Sequence, residues 1–299
     1  MPAAPLPVRN GLNPTRLRLP ADGPWSTVLD YLNQRFPDDR ARLAEKAAAG
    51  EIVDAAGECV GRFIPGSFVY LYRDPAAEAP VPFGIPILHR DENLLVVDKP
   101  HFVASTPRGI HVTESALVRL RCALELPELS PVHRLDRLTA GVLVFTVRAQ
   151  VRGAYQRLFD ERGVRKEYEA TAPYDPTLAF PWTVRSRIVK ERGVLAAQQF
   201  PGAANSETFI ELLGKRNGTA DYGLVPRTGK THQIRVHMNA LGVPIVNDNF
   251  FPRLHDVAVD DYSAPLQLLA RSLAFRDPFS GADRRFVSER QLGTVLFGE

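Results

Sequence analysis

At 299 residues the chain is too long for one small domain and suits one large domain with a smaller module beside it. Hydrophobic content of 44% and charged content of 24% fit a soluble globular enzyme, no apolar run approaches the ~20 residues that span a bilayer, and the opening MPAAPLPVRNG lacks the basic flank and apolar stretch of a signal peptide. The net charge of +3 is unevenly placed: 11 basic against 13 acidic side chains over residues 1–100, and 26 against 21 over the remainder, so a polyanionic partner is to be sought in the later part.

Residues 1–24, rich in Pro, Asn and Gly, read as a flexible arm. A small α/β module follows over 25–75. In it WSTVLDYLNQRF spaces Trp25, Val28, Leu29, Leu32 and Phe36 as a helix with Ser26 as N-cap. A second helix over roughly 39–49 stops at Gly50, and short strands follow at 51–53 and 68–72. The Pro- and Ala-rich stretch 76–86 reads as an extended linker. Beyond it, NLLVVDKP and GVLVFTV (141–147) are buried strands and KEYEATA (166–172) alternates as a strand. Helices are expected at 114–126, 149–162 and after Thr231. Strands and helices mix without regular βαβ alternation, so the 87–299 domain is α+β, a mixed and largely antiparallel sheet flanked by helices. Cys59 and Cys122 stand alone, which suits a reducing cytoplasm and offers no zinc site.

Two segments carry chemistry. In VHRLDRLTAGVLVF (132–145), Asp136 lies between Arg134 and Arg137, cations that favour its ionised, nucleophilic form. An ordinary Asp–Arg turn would look the same. His133 close by also admits a hydrolase built on an Asp–His pair. In PRTGKTHQIRVHMNALGVPIVND (226–248), Gly229-Lys230-Thr231 resembles the end of a P-loop, but no glycine stands five residues before Gly229, so the register fails. Thr228 or Thr231 is expected to cap a short helix that presents His232, Arg235 and Asn239 on one side, with Lys230 at an N-terminus suited to a phosphate. His232 and His237 are five apart, a spacing that brings neither helix nor strand neighbours onto one ion, so no metal is expected.

Taken in order, these blocks resemble the RluA family of pseudouridine synthases. HRLDRLTAG is similar to its H-R-L-D-x-x-T-S-G loop, ILHRDENLLVVDKP to its opening strand, and KEYEA to its K-x-Y strand. TGKTHQIRVHMNALGVPIVND resembles its T-G-R-T-H-Q-I-R-V-H-x-x-x-x-G-x-P-I-x-G-D helix, and LLARSLAFRDPFSG its late L-H-A-x-x-L-x-F-x-H-P strand and turn. The likeness spans about residues 85–290. It implies isomerisation of uridine in structured rRNA or tRNA, with Asp136 as the catalytic aspartate, Tyr168 beside the target uracil and Arg235 as the basic partner of the aspartate. Arg134 would enter the space left by the extruded nucleotide, and Arg137, Lys166, Lys230 and His232 would hold RNA. An isomerisation has no redox or phosphoryl change, so no cofactor is expected, and a cytoplasmic monomer is. A catalytically inactive RNA-binding protein of the same fold is the alternative. The sequence departs from the family pattern at Ala140 for the usual Ser, Asn247 for Gly and Leu269 for His. Some members carry an N-terminal alpha-L RNA-binding module. Residues 25–73 have its length and order but 6 basic against 7 acidic side chains, which reads as a degenerate version used for RNA or for packing.

Overall fold

A computed structural model describes residues 4–293, and they fall into two compact units. One takes in the chain up to Ala77 together with Arg121–Pro127; the other takes in Glu78–Leu120 and everything from Glu128 on.

In the first unit, strand β1 (Thr15–Arg18) is followed by helices α1 (Val28–Arg35) and α2 (Arg40–Ala48) and strand β2 (Phe68–Leu71), with β1 and β2 antiparallel. Val28, Leu32, Leu43 and Leu71 form its core, and Trp25 stands edge-on to Tyr31 with ring centroids 5.0 Å apart. Three sequence readings change here. Helix α1 is capped by Thr27 rather than Ser26. The Thr27 hydroxyl accepts from Asp30 N–H while the Asp30 carboxylate accepts from Thr27 N–H. That reciprocal pair needs a polar side chain at the third helical position, and from Ser26 that position would be the apolar Leu29. The expected flexible arm contains β1, drawn in by buried Leu19 and half-buried Leu17; the arm's first three residues lie outside the described ones. The strand expected at 51–53 shrinks to bridges from Val53 to Cys59 and Tyr70.

The second unit runs β3 (Ile87–Arg90), β4 (Leu94–Lys99), α3 (Ala116–Leu124), β5 (Ser130–Pro131), β6 (Ala140–Thr146), α4 (Arg152–Asp160), β7 (Val164–Pro173), β8 (Trp182–Val189), β9 (Gln198–Phe200), β10 (Ser206–Arg216), β11 (Thr219–Pro226), α5 (Gln233–Ala240), β12 (Leu268–Arg276) and β13 (Asp283–Val287). Helix α3 crosses the division at Arg121. The strands make one sheet in the order β3-β4-β6-β12-β7-β11-β10-β8-β9, with β5 on β6 and β13 on β12. Every pairing is antiparallel except that of β6 with β12, so the mixed, largely antiparallel sheet is as expected. The apolar runs LLVV and GVLVF are buried on both faces, which is why they read as continuous rather than alternating. Among the described residues no helix is long and apolar enough to cross a membrane.

The stretch 76–86, read as a linker, belongs to the second unit from Glu78 on. The Glu78 carboxylate accepts from the backbone N–H groups of Val112 and Thr113 at 2.8 and 2.7 Å, Arg119 donates to Phe83 O at 2.8 Å, and Phe83 is buried between neighbouring aromatic rings. Composition alone suggests an extended linker; one carboxylate and one phenyl ring hold it against the second unit.

Candidate active site

The loop His133–Thr139 enters β6, an interior strand of the sheet, and is held through its backbone. Four successive carbonyls each have a donor: Leu135 O takes Ser105 Oγ at 2.7 Å, Asp136 O takes Thr139 N at 3.0 Å, Arg137 O takes Lys99 Nζ at 3.2 Å, and Leu138 O takes His101 Nδ1 at 2.6 Å. Lys99 is wholly buried at the end of β4 and gives its other donors to Pro100 O and Val103 O. Burial drives its ammonium well below the usual lysine range. Lys99, His101 and Ser105 were not singled out from the sequence. They hold the loop, and Ser105 also lines the cleft, a relation no local motif reports.

Held this way, Asp136 presents a one-third exposed side chain to a cleft of about 1130 Å³. Its near partners are not the two arginines beside it in sequence. Arg235 Nη1 stands 3.7 Å from Oδ2 and His232 Nε2 stands 3.8 Å from Oδ1, and among the described residues neither Arg134 nor Arg137 forms an ion pair with it. Arg134 is exposed at the cleft, and Arg137 turns toward the Phe102 ring, 6.0 Å from its centroid. Alternating directions along a tight loop separate side chains that the sequence sets side by side.

Arg235, expected as the basic partner of Asp136, stands beside it and has a closer anion as well. Its main anion is Asp248, wholly buried, which accepts from Nε at 2.8 Å and from Nη2 at 2.5 Å. The Asp248 carboxylate accepts as well from Phe250 and Phe251 N–H, and Arg235 lies 4.6 Å from the Phe250 ring centroid. The fork is therefore fixed before any substrate arrives, and one nitrogen is left toward Asp136. Asp248 closes the PIVND block, and its place there was the one available signal.

His232 does not offer a cation. Burial lowers its pKa, opposed in part by Asp136, and its Nδ1 accepts from Ala197 N–H at 3.2 Å. The proton is thus on Nε2, the nitrogen that faces Asp136. The residue adopts a left-handed backbone (φ 56°) and itself occupies the N-cap of α5, so neither Thr228 nor Thr231 caps that helix. Thr228 Oγ1 instead donates to the buried Gln233 side chain, which also accepts from Lys230 N–H and donates to Glu207 O. Gln233 fixes the turn that carries exposed Lys230 at the cleft rim.

Tyr168 on β7 and Lys166 two residues earlier line the same cleft. Burial, reinforced by the Asp136 charge, pushes the Tyr168 phenol above its ordinary value, so it stays protonated. Burial lowers Lys166, which makes no ion pair among the described residues. His133, the candidate partner of Asp136 in a hydrolase, points elsewhere. It is stacked on Phe159 with centroids 4.9 Å apart, and its Nε2 accepts from Val144 N–H. The Asp–His hydrolase reading therefore fails on geometry.

His133 belongs to a group of desolvated neutral histidines, of which His237 is fully buried, that makes stability fall in acid. Burial lowers His133 to about 3, and His101 and His237 to about 4, from an ordinary 6.5. Below pH 6.5 the unfolded chain binds protons that the folded one does not, so stability is complete above 6.5 and is lost as pH falls toward 4. Urea midpoints are expected to drop between pH 7 and pH 5, with a loss on the order of 1 kcal/mol per histidine. A flat profile over that window would mean that these rings are hydrated.

Asn247 takes the left-handed conformation (φ 61°) that the family's glycine would adopt freely, and its side chain donates to Pro265 O at 3.0 Å. Asn is among the few residues that tolerate this region. Ala140 and Leu269, the other two departures, stand opposite each other in the β6–β12 register. Both are apolar and buried, so no polar side chain is orphaned there.

The chain is similar to several known proteins. A family model described as RNA pseudouridylate synthase matches residues 93–240. The dual-specificity RNA pseudouridine synthase RluA of Salmonella typhi is 30% identical over 212 residues, which span 67% of this chain and 90% of that protein. The Escherichia coli protein of the same name is 31% identical over 176 residues, 55% of this chain and 76% of that one. Among solved structures, human RNA Pseudouridylate Synthase Domain Containing 4 aligns with a TM-score of 0.54 at 27% identity, over 69% of this chain and 88% of that one.

Proposed function

The chain belongs to the RNA pseudouridine synthase family and isomerises uridine in RNA, and from that premise we propose that Asp136 is its catalytic group, with Tyr168 and Arg235 completing the site. The observation that carries this is the meeting of Asp136, Arg235 and Tyr168 in one cleft from three separate stretches of chain, the loop before β6, helix α5 and strand β7.

A uridine in folded RNA is stacked, so it must be extruded before its base is reached, at a cost of a few kcal/mol. Exposed Arg134 fills the vacated place and offsets part of that cost. The flipped base lies against the Tyr168 ring, and Arg137, Lys166, Lys230 and the surrounding cations hold the backbone. Asp136, oriented by Arg235 and by the Nε2–H of His232, acts on the nucleoside at base or sugar. The bond from C1′ to N1 breaks, the uracil turns, the bond from C1′ to C5 forms, and the proton of C5 leaves as N1 gains one. Structured rRNA or tRNA is the substrate, and the enzyme acts as a cytoplasmic monomer, a setting that its two free cysteines suit. Mapping pseudouridine in total RNA with and without the gene tests this: at least one site should disappear with the gene and return when the purified chain is added.

Tyr168→Phe keeps the ring and loses only the hydroxyl, so turnover is expected to fall while binding of the flipped base persists. Tyr168→Ala removes the platform, and catalytic efficiency should drop about 10–100-fold, the stacking contribution being roughly 1–3 kcal/mol per base. Wild-type rates in Tyr168→Ala would make this tyrosine part of the core around Ala170 and Leu224, against which it packs.

A further inference from the structure

Beside the cleft lies a second groove, of about 880 Å³, between the segment Gly193–Phe200, the outer side of α5 and the turn Phe250–Leu254. The two cavities share a wall, with Gly193, Val194, Leu195 and Phe250 lining both. Its chemistry differs from that of the cleft. Among the described residues no charged side chain lines it. Its walls are apolar and aromatic, Phe200, Val236, Phe251 and Leu254, and its polar groups are the amides of Gln198, Gln199 and Asn239. Leu195 and Leu254 stand 62% and 54% exposed, large apolar side chains left in water at its mouth.

We propose that this groove is a second base-binding site, which takes an unstacked nucleobase near the target uridine and sets the enzyme's preference for the surrounding sequence. The inference rests on the RNA pseudouridine synthase reading of the adjoining cleft. A nucleobase has two apolar faces and a polar edge, and the groove supplies apolar walls with amides that can both donate and accept. Its lack of charge suits a base rather than a phosphate, while the cations of the adjoining cleft suit the backbone that would carry the base there. The wall is also tied to the catalytic group. Ala197, which lines the groove, donates its N–H to His232 Nδ1, and Nε2 of the same ring faces Asp136. A base held in the groove therefore packs on the segment that orients this histidine.

The test begins with total RNA from cells lacking the gene, treated with the purified full chain, which identifies a modified uridine. A short synthetic RNA carrying that site is then made with one abasic nucleotide at a time at unpaired positions near the target. With the wild-type chain, one abasic position other than the target should raise KM about tenfold with kcat nearly unchanged. The double variant Leu254→Ala/Asn239→Ala, both changes at positions outside the catalytic group, should show the same loss on intact RNA and no further loss with the abasic one, the non-additivity expected of groups in contact. Independent, additive losses, or no sensitive position, would overturn the proposal. So would a double variant that turns over intact RNA normally but sediments differently from wild type, which would make the groove a contact between copies. Failure of the wild-type chain to modify any RNA in the pool would instead remove the reading of the cleft itself.

Discussion

Asp136→Asn is expected to fold, to bind RNA, and to release tritium from carbon 5 of uridine on the order of 10³-fold or more slowly than the wild-type chain. The substitution keeps size and an acceptor oxygen and removes the charge. Three features make the result interpretable. The side chain is one-third exposed, so an amide meets water rather than an apolar wall. The loop that carries it is held through backbone carbonyls, from Ser105, Thr139, Lys99 and His101, none of which involves the carboxylate. Arg235 keeps its anion, because Asp248 and not Asp136 supplies its close pair. From the sequence, loss of the carboxylate would strand a buried arginine, and any loss of activity could then be loss of folding. With Asp248 in place the melting temperature should move little, and the chemical defect stands alone. Tritium release at the wild-type rate by the folded variant would remove Asp136 from the mechanism.

What the sequence made legible divides along a physical line. Contiguous signals survived: the buried runs that became β4 and β6, the alternation of β7, and the loop whose aspartate faces the cleft. Signals that depend on where side chains point did not. Arg134, Asp136 and Arg137 are neighbours in the chain, yet the carboxylate meets Arg235 and His232, about a hundred residues away. His133 looks like a catalytic partner and is a half-buried ring stacked on Phe159. The cap of α5 shows the same limit. Two threonines with good capping propensity stand nearby, but Gln233 recruits Thr228 and the helix starts on a left-handed histidine. Such a backbone conformation in a residue without glycine's freedom persists where the surroundings over-determine it, and it occurs here at the residue that faces Asp136. Buried Lys99 was hidden for a different reason. A lysine ending an apolar strand reads as a surface residue, and only the fold reveals three carbonyls waiting for it.

Gly141→Ala is expected to be among the most destabilising single methyl additions in the second unit, at about 3–5 kcal/mol, against a total stability of about 5–15 kcal/mol for a folded protein. Gly141 ends the HRLDRLTAG loop and lies at φ 113°, a conformation that side chains rarely adopt. It is also paired with Ala270 in the single parallel contact of the sheet, between β6 and β12. A Cβ there would fall 2.2 Å from Ala270 O, 2.7 Å from its carbonyl carbon and 2.8 Å from its nitrogen. All three are backbone atoms in mid-sheet, with no flexible end to swing away. Relief requires β6 and β12 to separate or the loop to shift. The first breaks the sheet, and the second moves Asp136, five residues upstream, from its place against Arg235. The variant should therefore show a lowered urea midpoint, and under conditions where it is still folded its tritium release should fall as well. A midpoint within about 0.5 kcal/mol of wild type, the range of an ordinary surface substitution, would show that β6 and β12 are not held so closely and that this glycine serves some other purpose than the approach of two backbones.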